Sequence, residues 1–518
     1  MAVVFAGLTK IGIYSEATPS LIVGGGRVAC RTRGFNLCSV AALHLRRDSD
    51  GGKVTTEGAR TANGQGSGAG RSRSAGIGPR LDGAIQSNVP NWTEHVIWWH
   101  VYPLGFVGAD TTGQDRSPTH RLRQIESWLD YLLDLGANGL ALGPVFASRT
   151  HGYDTTDYFE VDPRLGDTAD LDHLIAECQR RGIRVMLDGV FNHVGRDFTP
   201  LVTALADPSA PENALFRRTS AGELVAFEGH DALVTLNHDN PAVTELVTDV
   251  MAHWLDRGID AWRLDAAYAM PAAFWAGVLP RVRERHPDVY VMGEVLHGDY
   301  AGFVAASGVD TVTQYELWQA IWHALNERNF FELDWALTRH TACLGAFVPY
   351  TFIGNHDVTR LASQIQDERH HPHALVLLLT LGGTPAIYYG DERGLRAVKE
   401  QRAGGDDAIR PAYPASPADL PSADQDPVAA DTFVLHQELI GLRRRHPWLH
   451  TATSRPLALT NTGYVIEVTD GIQRLVVALN LGDEALTVVT DAAERLAGAA
   501  DSSPAGHTVP PHGWAIFG

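Results

Sequence analysis

Cysteine is scarce in this chain: Cys30, Cys38, Cys178 and Cys343 are the only four in 518 residues. So few cannot frame a disulfide-stapled fold, and reduced thiols are expected. Long apolar runs are missing too. The opening MAVVFAGL is apolar for only eight residues, has no basic lead and soon turns polar, so it reads neither as a secretory signal nor as a membrane span, and the cytoplasm is the expected compartment. Positive charge is lacking over most of the chain. Residues 1–90 hold 11 basic and 5 acidic side chains, leaving 31 basic against 56 acidic for the rest, and the formal net charge is −19. An acidic body repels phosphate-rich surfaces, which disfavours nucleic acid and anionic membrane as partners.

Apolar residues make up 44% of the chain, an ordinary fraction for a globular protein with a large core. They are unevenly placed. Residues 51–80 contain nine glycines with Ser, Thr and Arg and no apolar periodicity, too little apolar surface to offset the entropy of ordering. Residues 1–90 are therefore expected to be a disordered N-terminal extension. From Glu94 strand-like and helix-like segments alternate. HVIWWHVYPLGFVG, NGLALGPV, RVMLDGVFNH, DAWRLD, VYVMGE, DTVTQY, YTFIGNHD and PAIYYGDE make eight strand candidates. RLRQIESWLDYLLDLG, ending at Gly136, reads as one amphipathic helix, and HGYDTTDYFEVDPRLG as a loop. The polar stretch between Asn192 and Asn240 is too long for an ordinary connection and suggests a small subdomain over about 194–240. After the helix FVLHQELIGLRRRHPWL the pattern switches to short alternating segments, PLALT, YVIEVTD, QRLVVALN, ALTVVT and GWAIFG. The expected organisation is an α/β (β/α)₈ barrel over residues 91–453, with the small subdomain after strand 3, followed by an antiparallel β-sandwich over 454–518.

Four segments carry the chemistry: DGVFNH, GIDAWRLDAA, VMGEV and FIGNHD. Each sets carboxylate, His or Arg residues just after an apolar run, and in a (β/α)₈ barrel such positions converge on the C-terminal rim. Asp265 and Glu294 would end consecutive strands. Two carboxylates across a scissile bond are what glycosidic cleavage needs, one to meet the oxocarbenium-like centre and one to protonate the leaving oxygen. Arg263 lies two residues before Asp265, so both side chains share the inward face of their strand, and its guanidinium is expected to keep Asp265 ionised. Glu294, behind the apolar VYVM and facing a negative Asp, is expected to have a raised pKa suited to an acid. His193, His356 and Asp357 add donors and an acceptor at two further strand ends.

These four segments, in order and separation, resemble the α-amylase family of glycoside hydrolases over roughly Glu94 to the C-terminus. The resemblance implies a retaining α-glycosidase in which Asp265 is the nucleophile, Glu294 the acid/base and Asp357 the residue that holds ring hydroxyls and distorts the sugar. It implies supporting roles for Arg263, His193 and His356, with Asp188 as a structural carboxylate beside them. Tyr153 matches the family's aromatic that stacks under the sugar, a contact suited to the apolar face of a pyranose. Asp154 and Arg410 resemble residues that meet the non-reducing end in the oligosaccharide-acting branch. GEVLHGDY, DTVTQYELWQAI and GTPAIYYGDERG look closest to the cyclomaltodextrinase, neopullulanase and oligosaccharide α-glucosidase branches. Ala266-Ala267-Tyr268-Ala269 follows Asp265, where endo-acting α-amylases carry Lys and His.

The implied substrate is a maltooligosaccharide or related α-glucan. Asn192 matches a family calcium-ligand position, yet a calcium site needs six to eight oxygen donors and Thr235 stands where Asp or Lys is usual, so no cofactor is expected to be required. Three other readings compete. A glycosyl transferase of the same family would intercept the intermediate with a sugar hydroxyl; a non-catalytic carbohydrate-binding homologue would not need the paired Asp265 and Glu294. A metal-dependent barrel hydrolase would need a metal-binding histidine spacing such as HExxH, which the strand ends lack.

Overall fold

The computed structural model describes residues 89–518, apart from positions 403, 493, 504 and 505. The disorder expected of residues 1–90 therefore falls outside the described residues except for its last two, and those two are part of the folded body. Val89 packs on the barrel interior and the Pro90 carbonyl accepts the Thr93 hydroxyl at 2.8 Å.

Eight strands form one parallel sheet: β1 (Trp98–Val101), β2 (Gly139–Leu142), β3 (Arg184–Gly189), β4 (Ala261–Leu264), β5 (Tyr290–Gly293), β6 (Thr311–Val312), β7 (Tyr350–Phe352) and β8 (Thr384–Tyr388). Their order is β6-β5-β4-β3-β2-β1-β8-β7, and a parallel bridge between Thr313 and Tyr350 joins the two ends. The sheet is thus closed into a barrel. Alternation along the strands sorts the side chains by period two. In β1, Trp98 points in with Ala141, Met186, Ala261 and Tyr290, whereas Trp99 points out and stacks on Trp128 at 6.2 Å. The same alternation carries Met186 to Asp188, Ala261 to Arg263 and Asp265, and Met292 to Glu294. The inward rows are apolar at the base and ionisable at the rim, which places the charged groups over a packed floor.

Two sequence-based expectations need correction. The segment ending at Gly136 is two helices, Leu122–Glu126 and Leu129–Leu135. The Ser127 hydroxyl between them bonds the carbonyls of Gln124 and Ala415, and the Trp128 indole bonds that of Pro414; partners on the chain after β8 hold a break that local periodicity does not show. The segment after β2 is not a simple loop either. Phe146–Ser148 and Thr155–Val161 pair as an antiparallel hairpin. Residues His193–Gly195, Ala226–Phe227 and His230–Thr235 form the three-stranded sheet of the subdomain after β3. The C-terminal strands make a five-stranded and a three-stranded antiparallel sheet that enclose Val465, Val476, Val488, Val509 and Phe517. Among the described residues no helix is long and apolar enough to cross a membrane.

A buried ion pair fixes the hairpin over the rim. Arg164, 1% exposed, donates to both oxygens of Asp162 at 2.8 and 2.6 Å and to the Ser148 hydroxyl at 2.8 Å, and to the backbone carbonyls of Asp110 and Thr150. Arg164→Ala would strand the Asp162 charge in the interior. Loss of about 3–5 kcal/mol is expected, read as a fall in unfolding midpoint, and Arg164→Ala with Asp162→Asn should recover part of it. A single variant as stable as the parent would show that the pair is solvent-compensated.

Candidate active site

Arg263 stands at the middle of the rim. Its Nη1 donates to both oxygens of Asp188 at 2.7 Å and to Asp265 Oδ1 at 3.1 Å, and its Nη2 lies 2.9 Å from Glu294 Oε1. All four side chains are nearly excluded from solvent. One guanidinium therefore faces three carboxylates drawn from three adjacent strands. Its charge cannot compensate them all, and burial dominates: Asp188 is raised to about 6 and Asp265 well above the ordinary carboxylate range, with Arg263 opposing both shifts. Arg263 thus does less to hold Asp265 ionised than its position suggests, because it is shared. Asp188 and Asp265, both facing Arg263, are thus easier to protonate than ordinary carboxylates.

Glu294 is fixed from two sides. Its Oε2 accepts the backbone N–H of Ala266 at 3.0 Å, and Ala266, directly after Asp265, is in the left-handed region at φ 46°. Strain of this kind at a non-glycine residue persists only where the surroundings impose it. Glu294 Oε1 accepts from Tyr315 Oη at 3.1 Å, Tyr315 accepts from Asn355 Nδ2 at 2.9 Å, and Asn355 Oδ1 accepts the Asp357 N–H at 2.9 Å. A chain of hydrogen bonds so connects the Glu294 carboxyl group to the backbone amide of Asp357 across β6 and β7.

Asp357 is buried, and its Oδ1 accepts from Arg410 Nη2 at 2.9 Å. Its Oδ2 lies 3.1 Å from His356 Nε2 without hydrogen-bond geometry and has no hydrogen-bond partner. His356 is no cation: burial, with His100, Arg410, Arg263 and Lys399 nearby, lowers its pKa well below the usual value. Its ring lies parallel to Tyr153 at 5.6 Å, and the Tyr153 hydroxyl meets both His356 Nε2 and Asp188. Asp265, Glu294, Asp357, Tyr153, Arg263, His356, Arg410 and Asp188 thus form one connected group. His193 joins through the Tyr153 carbonyl at 3.1 Å and stacks on Phe227 at 4.5 Å. Asn192 Nδ2 faces His193 Nδ1 at 3.2 Å. Asp154 stands apart, since both its oxygens are taken by the Thr150 amide and hydroxyl.

Several members were not singled out in the sequence. Lys399 Nζ donates to the Asp357 carbonyl and pairs with Asp406, which also pairs with Arg410; these residues lie on the irregular segment after β8. Tyr315 opens a helix in a segment that reads as strand. His100 was discoverable, being the inward position after Trp98. Burial lowers its pKa to about 3, and its Nε2 has no hydrogen-bond partner.

A closed (β/α)₈ barrel with ionisable residues clustered at the C-terminal ends of its strands is the arrangement of a barrel enzyme, and a pair of rim carboxyl groups is what glycosidic cleavage uses. The α-amylase catalytic-domain model matches residues 100–228 and 223–454. The chain belongs to the α-amylase family and is a hydrolase acting on O-glycosyl bonds. It is 31% identical over 396 residues to a cyclomaltodextrinase of a Bacillus species, covering 70% of this chain and 68% of that one. It is also 31% identical over 340 residues to neopullulanase 2 of Thermoactinomyces vulgaris, covering 59% and 57%. The acarbose-soaked crystal structure of the Nostoc punctiforme debranching enzyme superposes with a TM-score of 0.69 at 26% identity, over 84% of this chain and all of that one.

Gly105, in the short helix Pro103–Phe106 after β1, ties this geometry to that end of the barrel. A Cβ there would lie 2.3 Å from the Arg410 carbonyl, so Gly105→Ala must displace the backbone that carries Arg410. A fall in kcat/KM of about tenfold or more is expected with the circular dichroism spectrum retained. Unchanged kinetics would show that Arg410 need not stay where it is.

Proposed function

We propose that the chain is a retaining hydrolase of α-glucosidic bonds in maltooligosaccharides or related α-glucans, with Asp265 as nucleophile and Glu294 as acid/base. The observation that carries this reading is the Arg263 cluster: three carboxyl groups from adjacent strands converge on one guanidinium beside Asp357, whose Oδ2 is left to accept sugar hydroxyls. Glu294 gives its proton to the glycosidic oxygen as Asp265 adds to the anomeric carbon, forming a glycosyl ester and releasing the leaving sugar as an alcohol. Glu294, now ionised, takes a proton from water, which displaces Asp265 and restores the α-configuration. Asp357 and Arg410 hold the ring hydroxyls, His100, His193 and His356 serve as neutral hydrogen-bonding groups, and Tyr153 offers ring surface to the sugar. No metal takes part in this reading. For location we propose the cytoplasm, supported by the free thiols of Cys178 and Cys343.

Two measurements test the assignment. Glu294→Gln should cripple hydrolysis of maltotriose yet spare formation of the glycosyl ester from α-glucosyl fluoride, whose departure needs little protonation. Asp265→Asn should fail with both. Peptide mapping should find the trapped sugar on Asp265; a label on another residue, or a β-anomer as the first product, overturns the mechanism.

The pH profile follows from burial. As pH falls, Asp188 and Asp265 take up protons, Arg263 loses its partners and the nucleophile is neutralised. The acid limb of kcat/KM is therefore expected near pH 6, in keeping with Asp188 at about 6, and not near the ordinary carboxylate value of about 4. Full activity retained at pH 4.5 would contradict a desolvated cluster.

A further inference from the structure

Two histidines and an aspartate from distant parts of the chain meet where the barrel touches the sandwich. His370 ends the short turn Glu368–His370, and Asp367 caps that turn. His512 precedes the last strand, Trp514–Phe517. His370 Nε2 lies 3.0 Å from His512 Nδ1 and 3.9 Å from Asp367 Oδ2, and one donor atom from each of the three falls within 4.8 Å of the others. His370 is buried, and the His512 side chain is only 8% exposed.

The arrangement has the marks of a ligand set. His512 Nε2 faces Asp483 Oδ1 at 2.9 Å, so with Nε2–H donating to the carboxylate the Nδ1 lone pair faces His370. An outer carboxylate that fixes the tautomer in this way commonly supports a metal-ligating imidazole. His512 is held in the left-handed region at φ 55°, which sets the direction of its ring. Donors around a tetrahedral ion with bonds of 2.0–2.1 Å lie roughly 3.4 Å apart, and the distances of 3.0 and 3.9 Å bracket that value. A surface hollow lined in part by Arg328, Asp367, Arg369 and His370 opens beside two of the three side chains. Two imidazoles and one carboxylate suit a borderline ion such as zinc or cobalt better than calcium or magnesium.

We propose that Asp367, His370 and His512 bind one divalent transition-metal ion, which pins the C-terminal sandwich to the barrel. Arg369 competes for this site, since its guanidinium bonds both oxygens of Asp367 at 2.9 and 2.7 Å; it is exposed and free to swing away.

The test uses the tag-free full chain titrated with zinc chloride, reading bound zinc by elemental analysis and the thermal midpoint. The wild type is expected to hold one zinc more than His370→Gln and His512→Gln, with a midpoint rise on the order of 3 °C at a hundredfold excess over Kd. Arg369→Ala is expected to bind several-fold more tightly. Equal zinc content in the parent and both histidine variants overturns the proposal. If those variants fail to fold, the parent loaded with cobalt decides: visible ligand-field bands displaced by zinc support the site, and a colourless protein overturns it, leaving a plain histidine–histidine hydrogen bond.

Discussion

The charge of Arg263, shared among Asp188, Asp265 and Glu294, is the constraint on which the rest of the rim depends. A buried guanidinium with one partner would be a structural ion pair. With three partners it cannot neutralise the set, so the balance of charge depends on how the four side chains are placed. Their side chains must then be held rigidly, because a small displacement would change which carboxyl group the guanidinium compensates. The barrel supplies that rigidity. Asp188 and Arg263 sit in register on β3 and β4, and the Glu294 amide bonds the Leu264 carbonyl, so the ladder itself fixes the relative positions of the charges.

Around this core the histidines add no charge. His100, His193 and His356 are all buried with lowered pKa values, and so they present hydrogen-bonding nitrogen without adding cations. The second cation at the rim, Arg410, is tied to Asp357 and Asp406 and lies over the Tyr102 ring at 4.6 Å. Two arginine–carboxylate groups therefore divide the rim, one at the strands and one on the segment after β8, with Tyr153 and His356 between them.

The sandwich shares an apolar cluster with the barrel and is also joined to it by polar contacts with defined geometry. His373 Nε2 lies within hydrogen-bond distance of the Asn480 and Gly513 carbonyls, and Tyr464 donates to Asp334 at 2.7 Å. The His370–His512 contact belongs to the same seam. Such contacts fix direction more than they add stability, since each exchanges one hydrogen bond with water for another.

Much of this was legible in the chain itself. Period-two alternation placed Arg263 and Asp265 on one face, and the breaks in the apolar runs marked where Asp188, Glu294 and Asp357 leave their strands, because these patterns follow from local backbone geometry. The helix break at Ser127 and the roles of Tyr315, Asn355 and Lys399 were not legible, because each depends on a partner far away in sequence, such as the Ala415 carbonyl for Ser127 or Glu294 for Tyr315; the hairpin at Thr155–Val161 has a near partner, but its irregular register hides the usual strand alternation. The same limit applied to protonation. Residue identity indicated that Arg263 would stabilise Asp265, but only the folded barrel, by excluding water and bringing three carboxyls to one guanidinium, decided that burial would outweigh it.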